Sequence, residues 1–202
     1  GRYIAIAGNM GCGKSTFVDF LKVRFGVIPY FEPNEQNPYL ADFYSDMKRW
    51  AFSSQIYFLQ KKFALHLQLQ KEDGIVVQDR SIYEDAEIFA ENLYRTKILN
   101  YRDYNTYREL YESIRQELKP PDLLIYLRCS VRTIRKRIQL RARPEEQAVS
   151  AKYVRRLNQR YDAWFEQYNQ SPTMIIETDK LDYISDLVHR IDLLDTIRQI
   201  LA

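Results

Sequence analysis

One stretch near the start of the sequence decides the fold: Tyr3-Ile4-Ala5-Ile6-Ala7-Gly8-Asn9-Met10-Gly11-Cys12-Gly13-Lys14-Ser15-Thr16. It contains the pattern G-x-x-x-x-G-K-[ST], preceded by an apolar run typical of a buried strand and followed by apolar residues at helical spacing. Glycines allow backbone N–H groups to converge on phosphate oxygens, and the start of a helix directs its positive dipole end at the same place. The stretch therefore predicts a phosphate-binding loop over residues 8–16.

Two side chains of this loop carry polar groups suited to a nucleotide. We expect the Lys14 ammonium to reach the β- and γ-phosphates and the Ser15 hydroxyl to bind Mg²⁺. The alternative is a glycine turn between a strand and a helix, with Lys14 exposed to solvent. The strand before the loop and the helix after it favour the phosphate-binding interpretation.

The composition limits the classes of protein to consider. The chain has 202 residues, 46% of them hydrophobic, so we expect a single domain over residues 1–202. The net charge of +3 is too small to predict binding to a nucleic-acid polymer. No apolar run approaches the roughly 20 residues of a membrane span, and the chain enters its first strand without a signal sequence. Because Cys12 and Cys129 are the only cysteines, a reducing, cytoplasmic location without disulfides is expected.

The rest of the sequence alternates short apolar runs with helical patterns. Strands are expected at residues 3–7, 27–31, 75–77, 122–127 and 173–176. Helices are expected after the loop and at residues 39–72 (one or two helices), 83–99, 105–118, from 130 onward, 150–168 and 183–201. This order predicts an α/β protein in which a five-stranded parallel sheet is flanked by helices on both faces.

A glutamate follows the second predicted strand, at the edge where ligands bind to open α/β sheets. The carboxylate of Glu32 can accept the proton of a hydroxyl that attacks a phosphoryl group. Glu32 is therefore a candidate catalytic base. The alternative is a solvent-exposed turn carboxylate before Pro33.

The third predicted strand delivers a carboxylate and a guanidinium to the same edge. Asp79 is suited to hold Mg²⁺, directly or through water, and Arg80 to steady the transferring phosphoryl group. A salt bridge at the end of the strand is the alternative interpretation of this pair.

An arginine-rich helix follows the fourth predicted strand, with Ser130 as a suitable N-cap. Near its end, Arg141 and Arg143 lie where a lid can close over a triphosphate and stabilise its charge. A solvated face is the alternative, since basic amphipathic helices are commonly solvated. The other basic residues of the helix are expected to be solvated: Arg132, Arg135, Lys136 and Arg137.

Together these segments resemble the deoxynucleoside kinases, which use ATP to phosphorylate the 5′-hydroxyl of deoxynucleosides. The resemblance rests on the loop, Glu32-Pro33, Trp50 to Gln55, Asp79-Arg80-Ser81-Ile82-Tyr83 with Asp85, and Arg141-Ala142-Arg143-Pro144-Glu145-Glu146. The stretch over residues 32–59 looks most like the bacterial deoxyadenosine/deoxyguanosine kinases. The resemblance covers nearly the whole chain and implies the P-loop kinase fold, a lid at about residues 141–150 and nucleotide salvage as the cellular role.

The resemblance also implies roles for single residues. It makes Glu32 the general base, places Arg80 near that base and the 5′-oxygen, and makes Arg141 and Arg143 the lid arginines. The acceptor pocket is implied at Gln55 and Asp85 for the base, and at Tyr44 and Glu146 for the sugar 3′-hydroxyl. The loop that holds the ATP base is implied at Glu177, Thr178 and Asp179.

Two positions depart from many relatives. Lys62 stands where an arginine pairs with the carboxylate matched by Asp85, and lysine lacks the bidentate fork of arginine. Asp79 stands where many animal relatives have a longer glutamate, so a water between it and Mg²⁺ is favoured. The donor and acceptor of the Gln55 amide suit adenine or cytosine, and without the resemblance Gln55 would be expected at an exposed helix position.

Three alternatives remain open from the sequence. A deoxycytidine-preferring or broad kinase shares all these residues with a purine-preferring one. A nucleoside monophosphate kinase such as a thymidylate kinase shares the loop and lid, although its phosphate acceptor has little need of Glu32. A nucleotide switch shares the loop alone. The 16 Tyr and 10 Phe and the helical region at residues 39–72 favour a homodimer formed through helices, as the resemblance implies.

Overall fold

The computed structural model describes residues 1–31, 37–147, 149–180, 185 and 191–202, apart from the side chains of Glu145, Ile191, Asp192 and Leu201. The candidate base Glu32 and most of the first half of the last predicted helix lie outside these residues.

The described strands form one parallel sheet. They are β1 (Arg2–Ala7), β2 (Ile28–Tyr30), β3 (Ile75–Asp79), β4 (Leu123–Arg128) and β5 (Thr173–Glu177), in the spatial order β2-β3-β1-β4-β5. In the register, Ile4 of β1 lies opposite Val77 on one side and Leu123 on the other. β1 is thus central, and the loop that follows it emerges in the middle of the carboxyl edge. The predicted five-stranded parallel sheet is confirmed.

Helices fill the connections between the strands. The described α-helices are α1 (Lys14–Phe25), α2 (Leu40–Ser45), α3 (Met47–Leu69), α4 (Ile82–Glu84), α5 (Glu91–Arg95), α6 (Tyr101–Arg115), α7 (Val131–Arg141), α8 (Ala151–Gln167) and α9 (Ile191–Leu201). A π-helical stretch, Asp85–Ala90, joins α4 to α5, and a short 3₁₀ turn, Pro144–Glu146, lies between α7 and α8. In the part of the chain that the structure describes, no helix is long and apolar enough to cross a membrane.

The two faces of the sheet bury separate cores, because side chains alternate along each strand. Ile4 and Ile6 of β1 pack on the face covered by α1, α7 and α9. Tyr3, Ala5 and Ala7 pack on the opposite face, against α3, α8 and the π-helical stretch. Helices therefore cover both faces, as predicted.

Several helix boundaries differ from the predictions. The region predicted at residues 39–72 as one or two helices contains two, which together span residues 40–69. Asp46 separates α2 from α3, and its side chain caps α3 by accepting a hydrogen bond from the Arg49 N–H at 3.3 Å. The helix predicted to reach residue 99 ends at Arg95, because Lys97 takes up a left-handed conformation with φ 62°. The next helix begins at Tyr101 rather than 105, because Asn100 caps it through the Asp103 N–H at 2.8 Å. The predicted Ser130 cap of α7 is present.

Candidate active site

The loop between β1 and α1 has the backbone shape that the glycine pattern predicts. Gly13 adopts φ 97°, a conformation that residues with a Cβ rarely reach. A Cβ at Gly8 would lie 2.4 Å from the Cys12 Sγ and 2.9 Å from the Leu127 carbonyl oxygen. The loop therefore closes against β4 only with glycine at that position.

Lys14 lies inside the curve of this loop and is almost fully buried. Its ammonium donates to the carbonyl oxygens of Gly8 and Asn9, each at 2.9 Å. The Cys12 Sγ is 3.7 Å away, and burial raises the pKa of that thiol. The ammonium is thus held at the mouth of the loop, beside a thiol that stays protonated.

Two anchors that sequence analysis missed hold the loop from outside. The fully buried Glu84 carboxylate accepts from the Gly8 N–H at 3.1 Å, the Ser81 N–H at 2.7 Å and the Tyr161 hydroxyl at 2.8 Å. The Asn9 amide donates to Asn158 Oδ1 at 2.8 Å. The signal that could have identified Glu84 is the capping box formed by Ser81 and Glu84 at the start of α4.

Ser15 and Asp79 meet at the carboxyl edge of the sheet. The Ser15 hydroxyl donates to Asp79 Oδ2 at 3.3 Å. The other carboxylate oxygen, Oδ1, is buried and has no hydrogen-bond partner among the described residues. A hydroxyl beside a carboxylate with an unused oxygen suits Mg²⁺, which takes few protein ligands when nucleotide phosphates supply the rest.

Arg80 directs its side chain back toward the phosphate loop. Its backbone is left-handed, with φ 64°, a conformation that costs about 1 to 3 kcal/mol for a residue other than glycine. The guanidinium lies over the Phe89 ring, 4.6 Å from its centre, and donates to the Gly8 carbonyl oxygen at 3.4 Å. This places a positive charge beside Lys14 at the entrance to the loop.

One cavity of about 570 Å³ joins these groups to a second polar pocket. Residues of the phosphate loop, Asp79 and Arg80 line it, and so do Gln55 and Asp85, together with Phe58 and Phe89. Tyr44 lines the wall, and so does Phe31, the residue before Glu32. The structure therefore brings expected residues of both the donor side and the acceptor side into a single space. The expected residues Gly8, Asn9, Cys12, Lys62, Glu177, Thr178 and Asp179 do not line it.

The residues expected to bind the acceptor include buried polar groups. Gln55 is only 6% exposed, and its Oε1 has no hydrogen-bond partner among the described residues. The alternative of an exposed helix position is wrong for Gln55. Its amide oxygen is available to a ligand that fills the cavity.

Lys62 connects this pocket to the end of β3. The side chain is fully buried, and its ammonium donates to the Arg80 carbonyl oxygen at 2.8 Å and lies 3.4 Å from Asp85 Oδ2. A lysine at this position therefore forms the expected pair with Asp85. It also fixes the left-handed backbone of Arg80.

The residues expected in the lid, Arg141, Arg143 and Glu146, line the same cavity. Arg141 pairs with Glu146, with Nε 2.7 Å from Oε1 and a second bond between Nη2 and Oε2. Arg143 is exposed and also lines the cavity. The structure thus links the lid arginine to the carboxylate that was expected to hold the sugar.

The prediction that Arg137 is solvated is wrong. Its guanidinium donates to the Gly11 carbonyl oxygen at 3.4 Å, to the Lys180 carbonyl oxygen at 2.9 Å, and to the Thr178 carbonyl oxygen. Arg137 therefore ties α7 to the phosphate loop and to the segment after β5. Its position four residues before Arg141, on the same side of the helix, was the available signal.

The segment expected to hold the ATP base is fixed by its own side chains. The Thr178 hydroxyl donates to the Cys12 carbonyl oxygen at 2.8 Å, and Asp179 accepts from the Ser130 N–H at 2.9 Å. Glu177 pairs with Arg128. The segment thus lies directly beside the phosphate loop and the start of α7.

The parallel sheet, the phosphate loop and the cavity that both groups of residues line define a kinase of the P-loop class. The family model of the deoxynucleoside kinases matches residues 4–202, and the chain belongs to that family.

Relatives of known name support this assignment. The chain is 37% identical over 185 residues to the deoxyadenosine/deoxycytidine kinase of Bacillus subtilis, covering 91% of this chain and 85% of that protein. It is also 37% identical over 203 residues to a deoxyguanosine kinase of Lactobacillus acidophilus, covering 96% of this chain and 88% of that protein. The structure of deoxyadenosine kinase from M. mycoides with bound dATP matches with a TM-score of 0.85 at 32% identity, covering 96% of this chain and all of that one.

Proposed function

We propose that this chain transfers the γ-phosphoryl group of ATP to the 5′-hydroxyl of a deoxynucleoside, with a preference for purines, as a single kinase domain. One observation carries the proposal: the phosphate loop and the buried Gln55 and Asp85 line one continuous cavity. A nucleotide switch needs a site for its nucleotide alone, so it has no need of Gln55 and Asp85 in the same cavity. Direct phosphoryl transfer requires both substrates to lie in one cavity.

The acceptor is argued from Gln55. An amide donor and acceptor pair with adenine or with cytosine, so Gln55 supports both bases. Relatives include proteins named deoxyadenosine kinase and deoxyguanosine kinase, which favours a purine. The Bacillus subtilis relative is named for deoxyadenosine and deoxycytidine, and the M. mycoides deoxyadenosine kinase has also been solved with dCTP. Deoxycytidine is therefore the second candidate substrate.

Each of the site residues has a separate proposed role in the reaction. Glu32 accepts the proton of the 5′-hydroxyl as that oxygen attacks the phosphorus. Lys14, Arg80, Arg141 and Arg143 stabilise the charge that develops on the phosphoryl oxygens and on the leaving ADP. Tyr44 and Glu146 hold the sugar, and the segment Glu177, Thr178 and Asp179 holds the base of ATP. Ser15 and Asp79 would hold Mg²⁺, which would supply further positive charge to offset that of the phosphates.

A homodimer formed through helices completes the proposal. The aromatic content and the helices α2 and α3 support it, and light scattering at micromolar concentration tests it. A monomer mass contradicts this part of the proposal alone.

The experiment that tests the function compares kcat/KM for the four natural deoxynucleosides with ATP and Mg²⁺. We expect the highest value for deoxyadenosine or deoxyguanosine. A highest value for deoxycytidine replaces the purine preference with the second candidate, and activity on a monophosphate alone contradicts the proposal. Absence of ADP release with every deoxynucleoside favours a nucleotide switch.

The role of Glu32 has a separate test. Glu32→Gln removes the proton acceptor and keeps the shape of the side chain, so turnover should fall by about 10² to 10⁴-fold while ATP binding is retained. Near-normal turnover excludes Glu32 as the base and leaves the kinase activity itself in place.

A further inference from the structure

A second cavity lies on the outer side of α7, away from the candidate active site. It is an open groove of about 510 Å³ between α7 and α8. Its polar lining consists of Arg132, Arg135, Lys136 and Gln139 on α7 and Arg155 on α8, and only Val131 and Ala151 are apolar. None of these residues lines the cavity that holds the phosphate loop. The groove is therefore a separate feature of the surface.

The charge of this groove is uncompensated. Of the seven described residues that line it, four are cationic and none is acidic. Within the described part of the chain, the four cations form no ion pair and no side-chain hydrogen bond. Other arginines of this protein are paired with carboxylates, among them Arg95, Arg108 and Arg128. Four like charges around one groove repel each other, and an anion in the groove removes that repulsion.

The lining selects the chemistry of the anion. The described lining residues include no aromatic ring on which a nucleobase could stack, and their apolar members, Val131 and Ala151, are both small. Guanidinium groups match phosphate oxygens with two parallel hydrogen bonds, and several along a groove match several phosphates in a row. The preferred occupant is therefore a chain of phosphates.

We propose that the groove between α7 and α8 binds an oligophosphate, either as a free ion or as the triphosphate tail of a nucleotide. The site lies on the back of the helix whose other side carries Arg137 and Arg141. Its occupant does not compete with the substrates, because the two cavities share no lining residue.

The test uses the whole protein and isothermal titration calorimetry with inorganic tripolyphosphate at low ionic strength. The groove variant is Arg135→Ser with Arg155→Ser. Its control, Lys22→Ser with Arg24→Ser, removes the same charge from the exposed end of α1. We expect the natural protein and the control each to bind one tripolyphosphate ion more than the groove variant binds. If the three proteins bind the same number of ions, we expect the natural protein and the control to bind tripolyphosphate about tenfold or more tightly than the groove variant, because each charge-assisted hydrogen bond is strong.

A parallel titration with ATP separates the two sources of the phosphate chain. One ATP fewer on the groove variant identifies the tail of a nucleotide, whereas a loss seen only with tripolyphosphate identifies the free ion. Activity with ATP and a deoxynucleoside should be equal in all three proteins, which shows that the groove variant is folded.

One result overturns the proposal: equal tripolyphosphate binding by the natural protein and the groove variant. If the groove variant in that case also no longer sediments with phosphatidylglycerol vesicles, the groove is assigned to a membrane surface instead.

Discussion

The Ser15 hydroxyl and the Asp79 carboxylate are 3.3 Å apart although 64 positions separate them in the sequence. Ser15 lies in the first turn of α1, and Asp79 is the last residue of β3, the strand next to β1. Adjacent parallel strands thus bring their carboxyl ends to one point. Asp79 Oδ1 is buried there without a hydrogen-bond partner among the described residues, and both side chains line the central cavity.

This pair leads to a prediction about magnesium. Asp79→Asn keeps the size of the side chain and removes its charge, so the apparent affinity for Mg²⁺ in the kinase assay should fall by about 10 to 100-fold. The measurement is the Mg²⁺ dependence of turnover at saturating ATP. Asp195→Asn, an exposed change on α9, is the control and should leave the curve in place. An unchanged Mg²⁺ dependence in Asp79→Asn would remove this residue from the metal site.

Gln55 provides a prediction about the acceptor. Gln55→Met keeps the volume and removes both hydrogen-bonding groups, so kcat/KM for the preferred deoxynucleoside should fall by about 10²-fold or more. The KM for ATP should change little, because the proposed role of Gln55 is toward the base of the acceptor. Gln60→Met on the exposed side of the same helix is the matched control. Equal losses in the two variants would contradict a role of Gln55 in base recognition.

Lys62 provides a prediction about stability. Lys62→Met leaves the Asp85 carboxylate buried without its ammonium partner, and breaking a buried ion pair in this way costs about 3 to 5 kcal/mol. We expect that loss in the free energy of unfolding, measured with urea. Lys48→Met, on the exposed start of the same helix, should change it by less than about 0.5 kcal/mol.

A second variant tests the cause of that loss. Lys62→Met with Asp85→Asn removes both charges, and its loss should be smaller than the sum of the two single losses. Additive losses would show that the pair contributes no coupling.

His66 provides a prediction about pH. The ring is fully buried, its Nε2 lies 3.0 Å from the Lys119 carbonyl oxygen, and burial lowers its pKa below 6.5. Below pH 6.5 the unfolded chain binds a proton that the folded chain resists. Stability should therefore fall as the pH falls, by at most about 1.4 kcal/mol per pH unit from this residue.

The measurement for His66 is urea unfolding at pH 7.5 and at pH 5.5. His66→Gln cannot take up the proton, so its stability should fall less than that of the natural protein over this interval. A parallel loss in both proteins would show that other groups cause the pH dependence.

The strands and the phosphate loop were predictable because their signals are local. Five apolar runs and one glycine pattern lie within short windows of sequence, and parallel strands then place Ser15 beside Asp79. Cap residues such as Asn100 and Asp46 are local signals too, and closer attention to them would have corrected the helix boundaries.

The features that were missed depend on which surfaces meet in the folded chain. Glu84 and Arg137 both bond to the phosphate loop from distant parts of the sequence. Its spacing from Arg141 places Arg137 on one side of α7 and Arg135 on another, but that spacing does not show which side meets the loop. Arg137 is bonded to the loop, and Arg135 lines the groove between α7 and α8. The π-helical stretch that contains Asp85 has no sequence signal that we recognise. The roles of the site residues in catalysis stay predictions.

The three carbonyl oxygens that Arg137 contacts limit how α7 can move. The hydrogen bonds to these oxygens hold α7 against the phosphate loop and the segment after β5. The helix therefore cannot move outward as a rigid body without breaking those bonds. The first residue after α7, Ala142, has a left-handed backbone with φ 49° and ψ 37°. A hinge at Ala142 would let the segment beyond it move while Arg137 keeps the rest of the helix in place.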